Sequence, residues 1–342
     1  VAALALWWGT PLALAQAGGR PASPPAAAGP AYADHLALDD FAALAAQRHG
    51  LEADWVRGHV AQARRSEAVR RLIMPPPAGT PRNWTAYRDR FVERERIAAG
   101  VAFWRAHAAW LARAEAEHGV PPEIVVAIVG VETFYGRIMG SFRVLDALAT
   151  LTFDFPPGRR DRSAFFRDEL EALLVWCRRE ELDPQEPRGS FAGAIGLPQF
   201  MPSSILRFGV DFDRDGRIDL RRNPADVVGS VAHYLGQFGW QRGLPTHFDA
   251  QAPEAAEDRA VLLAPDIVPT FSAAQMAERG ARLAAPAAAH DGPLALVELE
   301  NGGRPNTYYA GTTNFYAVTR YNWSSYYAMA VILLAEALRA AV

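Results

Sequence analysis

The feature that most limits what this chain can fold into is the stretch VPPEIVVAIVGVETFYGR, Val120 to Arg137. A proline pair opens it, and Gly136 and Gly140 mark its exit. Ile124, Ala127, Ile128, Val131 and Tyr135 give it a nearly continuous apolar surround. Pro121 and Pro122 suit a helix start, and Glu123 in the first turn favours the helix dipole. The pattern predicts a buried helix. Glu132 lies where the apolar run is densest, although charged side chains are almost never fully buried without a partner. One reading is a helix-end Glu paired with Arg137 or Arg143. The other is a carboxyl whose pKa is raised by desolvation, so that it stays protonated near neutral pH and can donate a proton.

At 342 residues, half of them apolar, the chain has room for two or three units around a sizeable core. A net charge of −3, with acids and bases mixed along the chain, argues against a polybasic protein, so no nucleic-acid partner is expected. The single Cys177 excludes an internal disulfide framework and a cysteine-based zinc cluster. Its neighbours Leu173, Leu174, Val175 and Trp176 predict a buried thiol. His118, His233, His247 and His290 show no metal spacing.

Residues 1–17, VAALALWWGTPLALAQA, read as a signal-peptide hydrophobic region ending in Ala15-Gln16-Ala17. Thr10 and Pro11 interrupt the run, which is short of the ~20 residues a membrane span needs. No cysteine follows, so a lipoprotein anchor is not expected. The expectation is export in soluble form; the same segment left uncleaved would tether the protein. Residues 18–33 form a Pro/Ala/Gly linker. Helical patterning begins at Asp34, with LALDDFAALAAQRHG ending on a glycine. Between Trp84 and His118 a long helical stretch carries Phe91, Ile97, Val101, Trp104 and Leu111 on one apolar side. Trp84, Trp104 and Trp110 could stack on sugar rings, but at this spacing core packing is the expectation.

In GSFAGAIGLPQFMPSS, Gly189 to Ser204, small residues surround Gln199, Phe200 and Ser203. Small residues let backbone and ligand approach closely. An amide, a hydroxyl and an aromatic nearby are what a sugar site uses for orientation and stacking; a tight helix-packing corner is the alternative. TRYNWSSYYAMAVILLAEAL, from Thr319, opens with Tyr321, Asn322 and Tyr327 and runs into an apolar helix.

Together GVETFYG, RVLDALATLTFDFP, GSFAGAIGLPQFMPSS, DFDRDGRIDL and TRYNWSSYYAMAV resemble the lytic murein transglycosylase B family, which cleaves peptidoglycan. The match runs from about Trp84 to Leu338 and keeps the family's motif order. It implies a mainly α (α+β) fold: a lysozyme-like helical catalytic core with an N-terminal helical region and a small inserted β domain. The expected segments are 34–119 for the helical region and 120–250 for the core. Residues 251–313 would hold a variable segment and the β unit, and 314–342 would return to the core. LALVELENGG, TYYAG and NFYAV read as its short strands.

The resemblance implies that Glu132 is the catalytic acid, and that Ser190, Gln199, Tyr321, Asn322 and Tyr327 contact substrate. Glu132 would protonate the bond between N-acetylmuramic acid and N-acetylglucosamine. It would then accept the proton of the muramic acid C6 hydroxyl as a 1,6-anhydro ring closes. No second catalytic carboxylate is needed, whereas a standard glycoside hydrolase uses two; Asp146 and Asp154 lack a comparable apolar setting. The alternatives are a murein or chitin hydrolase of lysozyme type and a non-catalytic peptidoglycan-binding scaffold. Partners implied are peptidoglycan glycan strands and proteins of cell-wall synthesis or division, with a periplasmic location. No cofactor is expected for catalysis.

DFDRDGRIDL matches the first positions of an EF-hand calcium loop, with Asp211, Asp213, Asp215, Gly216, Arg217 and Ile218 in order and Asp219 ninth. Arg222 stands where the usual closing acid would be. The resemblance implies closure by a later acid, Asp226, and a structural Ca2+. Against that, Asn223, Pro224 and Asp226 read as a helix N-cap, N1 and N3.

Overall fold

Helix-start and helix-stop signals in the sequence are met at most of their expected positions. The computed structural model describes residues 29–75, 79, 81–158 and 160–342. The signal-like segment at 1–17 and most of the linker at 18–33 lie outside the described residues. The chain divides into two units. One takes in Glu132–Val227 and the described part of Thr10–Pro76; the other takes in Val228–Val342 and the described part of Pro77–Val131. The helix Pro122–Thr133 passes from one to the other, its last residues Glu132 and Thr133 belonging to the former. Among the described residues no helix is long and apolar enough to cross a membrane.

In the unit that holds Glu132, helices Leu38–His49, Ala53–Ala61 and Glu67–Leu72 come first. Leu38–His49 carries Asp39 and Asp40 in its first turn and Arg48 and His49 in its last, matching the dipole. Gly50 ends it at φ 68, its N–H donating to the Ala46 carbonyl. In helix Ser163–Arg179 the buried residues Phe166, Leu170, Leu173, Leu174 and Cys177 recur at helical steps. Cys177 is therefore inside, and burial pushes its thiol up to about 12. Phe142–Arg143 and Arg188–Gly189 form a short antiparallel pair ahead of helix Val144–Phe153.

In the other unit, a four-stranded antiparallel sheet has the order Arg282–Leu283, His247–Gln251, Arg304–Gly311, Ala295–Asn301. It packs around Leu262, Met276, Leu294, Leu296 and Ala310. The helix Ser325–Ala341 buries Tyr327, Val331, Leu334 and Leu338 on one side, and the Ser324 hydroxyl caps its start.

Three expectations are corrected here. Trp84–His118 is not one helical stretch but Trp84–Arg88, Arg94–Ala106 and Ala108–His118. Glu93 restarts the chain as an N-cap, its carboxylate accepting from the N–H groups of Glu95 and Arg96, both at 2.7 Å. Of the three tryptophans only Trp84 is core, 4 % exposed, while Trp104 and Trp110 are partly exposed. NFYAV is not a strand; it lies in helix Thr313–Thr319. The Thr312 hydroxyl caps that helix, and Phe315, Ala317 and Val318 are buried on it. Tertiary packing overrides their β preference. The other two segments do form strands, as Ala295–Asn301 and Arg304–Gly311.

Candidate active site

Glu132 sits in the last turn of a helix whose residues from Ile124 to Thr133 are all buried, and is itself 7 % exposed. The helix stops at once after it. Phe134, Tyr135 and Gly136 follow with φ of 51°, 55° and 90°, a run of left-handed residues. Such a conformation is costly for bulky side chains and is held only by its surroundings. Here the Thr133 hydroxyl does the holding. It donates to the Leu197 carbonyl at 3.0 Å and accepts from the Gly136 N–H at 3.1 Å. Arg143, one of the two expected partners of Glu132, is instead bonded to Asp146 at 2.6 Å. The Arg137 guanidinium lies over the Phe134 ring at 4.5 Å.

Thr133 thus ties the Glu132 helix to the Gly189–Ser204 segment, where Ser190 and Gln199 lie. Ser190 is buried, and its hydroxyl accepts from the N–H groups of Ala192 at 3.3 Å and Ala194 at 3.0 Å. Its own O–H proton is the group left to offer. Gln199 has φ 50, and its amide nitrogen donates to the carbonyls of Gly196 at 2.9 Å and Met139 at 3.3 Å. With both amide hydrogens engaged, Oε1 is what it can present. The glycines of this segment serve the protein's own packing. A Cβ on Gly193 would strike Leu148 at 2.5 Å, and one on Gly196 the Leu220 carbonyl at 2.3 Å. The close approach here is chain to chain.

Tyr321, Asn322 and Tyr327 belong to the other unit. Tyr321 and Asn322 are partly exposed, whereas Tyr327 is fully buried. The Tyr321 and Tyr327 rings stack with centroids 6.3 Å apart. A residue that sequence reasoning missed joins them: Tyr234, whose ring lies 4.5 Å from Tyr321 and whose hydroxyl donates to the Arg320 carbonyl at 2.7 Å. Nothing in its local pattern sets it apart from any helix tyrosine. Non-glycine residues with left-handed φ among the described residues are Phe134, Tyr135, Glu181, Gln199, Arg214, Asp266 and Trp323. Most of them adjoin Glu132 or Asn322, sit at Gln199, or lie in the acidic loop.

In that loop the carboxylates of Asp211, Asp213 and Asp226 offer oxygens all within 4.8 Å of one another. Asp226 is a helix-start residue whose carboxylate turns toward the loop. It lies in the first turn of helix Pro224–Gln237, behind Asn223, whose Oδ1 accepts from the Ala225 N–H. Its side chain reaches back instead, accepting from the N–H groups of Phe212 and Asp219, both at 2.8 Å. Burial raises its pKa, and Asp213 and Asp211 add to the rise. Asp215 lies outside the group; its carboxylate accepts from the Arg217 N–H at 2.9 Å. Asp219 likewise accepts from Arg221 and Arg222.

Among the described residues the remaining buried acids are Glu169 and Glu171. Glu169 accepts from the Ser203 hydroxyl at 2.6 Å and the Ser203 N–H at 2.9 Å, and Glu171 is paired with Arg48 and His49. Asp146 is taken up by Arg143 and the Arg64 N–H, and Asp154 by the Tyr32 hydroxyl.

Residues 34–336 match the family described as Transglycosylase SLT domain, and the chain belongs to that family. Over 314 residues it is 38 % identical to the membrane-bound lytic murein transglycosylase B of Escherichia coli (strain K12), covering 90 % of this chain and 83 % of that one. The soluble lytic transglycosylase SltB1 of Pseudomonas aeruginosa superposes with a TM-score of 0.79 at 40 % identity, covering 89 % of this chain and 98 % of that one. The lytic transglycosylase Slt35 of Escherichia coli, solved in complex with calcium, gives 0.77 at 37 % identity, covering 92 % and 96 %. The fold is that of these helix-rich, lysozyme-like enzymes.

Proposed function

We propose that this protein is a lytic transglycosylase of cell-wall murein in which Glu132 acts first as acid and then as base. The observation that carries the reading is the buried carboxyl in the last turn of an apolar helix. A carboxyl shielded from water in this way suits a proton donor. Glu132 donates to the glycosidic oxygen between N-acetylmuramic acid and N-acetylglucosamine, and that bond breaks. The substrate's own acetamido group stabilises the positive centre at C1. The C6 hydroxyl of the muramic acid then attacks C1, and its proton returns to Glu132 as the 1,6-anhydro ring closes. No water is consumed. Among the described residues the carboxylates of Glu169, Glu171 and Asp226 are each hydrogen-bonded or ion-paired, and the lytic reaction needs no second catalytic carboxylate, whereas a standard hydrolase uses two.

Ser190 offers a hydroxyl proton and Gln199 an amide oxygen, complementary groups for orienting a sugar. Tyr321 and Asn322 supply a ring and an amide for the glycan, with Tyr327 backing the Tyr321 ring. Asp211, Asp213 and Asp226 would hold a calcium ion, since they provide the hard oxygen donors it takes; its part would be to fix the loop ahead of helix Pro224–Gln237. A murein substrate supports a periplasmic location. The test is release of soluble muropeptides from purified sacculi. Wild-type protein should release them, and Glu132→Gln should bind sacculi without releasing any. Release by Glu132→Gln at the wild-type rate would refute the assignment.

A further inference from the structure

We propose that Arg320 reads a carboxylate carried by the substrate, and so separates murein from uncharged N-acetylglucosamine polymers. Arg320 follows helix Thr313–Thr319 and directly precedes Tyr321 and Asn322. Its guanidinium lies 4.9 Å from the Trp323 ring centre, 5.1 Å from that of Phe238 and 5.4 Å from that of Tyr316. Nη1 donates to the Tyr316 hydroxyl at 3.1 Å, and the Tyr234 hydroxyl pins the Arg320 carbonyl at 2.7 Å. Trp323 takes its place at φ 38, a strained conformation for a bulky residue.

Three rings replace water around the cation and are attracted to it, but they cannot satisfy its hydrogen-bond donors. One donor is used on Tyr316, and no carboxylate among the described residues forms an ion pair with Arg320, which remains partly exposed. A guanidinium fixed in this way, with donors to spare, suits a planar two-oxygen anion. This inference rests on the murein reading. Every N-acetylmuramic acid carries a carboxylate, on its lactyl group when peptide-free or on the stem peptide when substituted. Polymers of N-acetylglucosamine carry none.

The experiment is equilibrium binding by calorimetry in a Glu132→Gln background, which prevents turnover. Three ligands are compared: a peptide-bearing murein oligosaccharide, a peptide-free one, and an N-acetylglucosamine oligomer. Arg320→Gln should weaken at least one murein ligand by about tenfold or more, the worth of a charge-assisted pair, and leave the uncharged oligomer unchanged. Arg320→Lys, which keeps the charge without the fork, should recover only part of the loss and covers the case in which the Gln variant fails to fold. Loss confined to the peptide-bearing ligand assigns the stem carboxylate; loss confined to the peptide-free one assigns the lactyl carboxylate. Equal loss on all three ligands, or on none, would overturn the proposal. A parent protein that binds neither murein ligand would overturn the murein reading itself, and this inference with it.

Discussion

Gly140 offers a quantitative test of how the site is held. Its φ is 82°, and a Cβ there would lie 2.2 Å from the Gly189 carbonyl oxygen and 2.7 Å from the Ser190 nitrogen. Gly136, in the same loop, has φ 90°, yet its Cβ would meet only Leu197 at 3.6 Å, an ordinary contact. Gly136→Ala therefore pays the left-handed backbone cost alone, about 1–2 kcal/mol. Gly140→Ala pays the same cost, plus a backbone collision relieved only by moving residues 189–190, which adds about 1–3 kcal/mol. Urea unfolding of the two variants should show Gly140→Ala less stable by that second amount. Its muropeptide release should also fall, because Ser190 is displaced, while Gly136→Ala loses less activity. Equal stability of the two variants would refute the claim that close packing of Gly140 on Ser190 sets the loop.

Other expectations follow from buried groups. Burial raises the Glu169 pKa above its ordinary 4.5, so the folded state holds the proton more tightly than the unfolded state. Its stabilising contribution is full below about 4.5 and is lost as pH rises through the folded value; Glu169→Gln should flatten that part of the stability–pH curve, and an unchanged slope would contradict this. Calcium should raise the wild-type Tm and chelator should lower it, with both effects lost in Asp226→Asn. The Cys177 thiol should resist an aromatic disulfide reagent until the protein is unfolded, since it is both buried and held protonated.

Signals confined to a few neighbouring residues were readable in the sequence. The proline pair before Glu123, the glycine at 50 and the stripe around Cys177 each specify a local conformation or face, and the helices formed there. What escaped depends on contacts between residues far apart in the chain. Tyr234 meets Tyr321 only through packing, and its own sequence neighbourhood is that of an ordinary amphipathic helix. Asn314–Val318 looks like a strand by composition and becomes a helix because Thr312 caps it and its apolar side is buried. On its own Asp226 reads as a helix-start residue; that it turns back to the loop was implied only by the family resemblance, and its carboxylate does bond to Phe212 and Asp219. The break at Glu93 was legible in principle, since an acid ahead of a helical run is a capping signal, but the apolar spacing on either side masked it.

In the proposed mechanism Glu132 handles both proton transfers and water takes no part. The most direct measurement is mass spectrometry of the products released from sacculi in water enriched in heavy oxygen. The expected products are anhydro-muropeptides with no heavy oxygen incorporated. Reducing-end products carrying one heavy oxygen each would contradict the mechanism and make the enzyme a hydrolase.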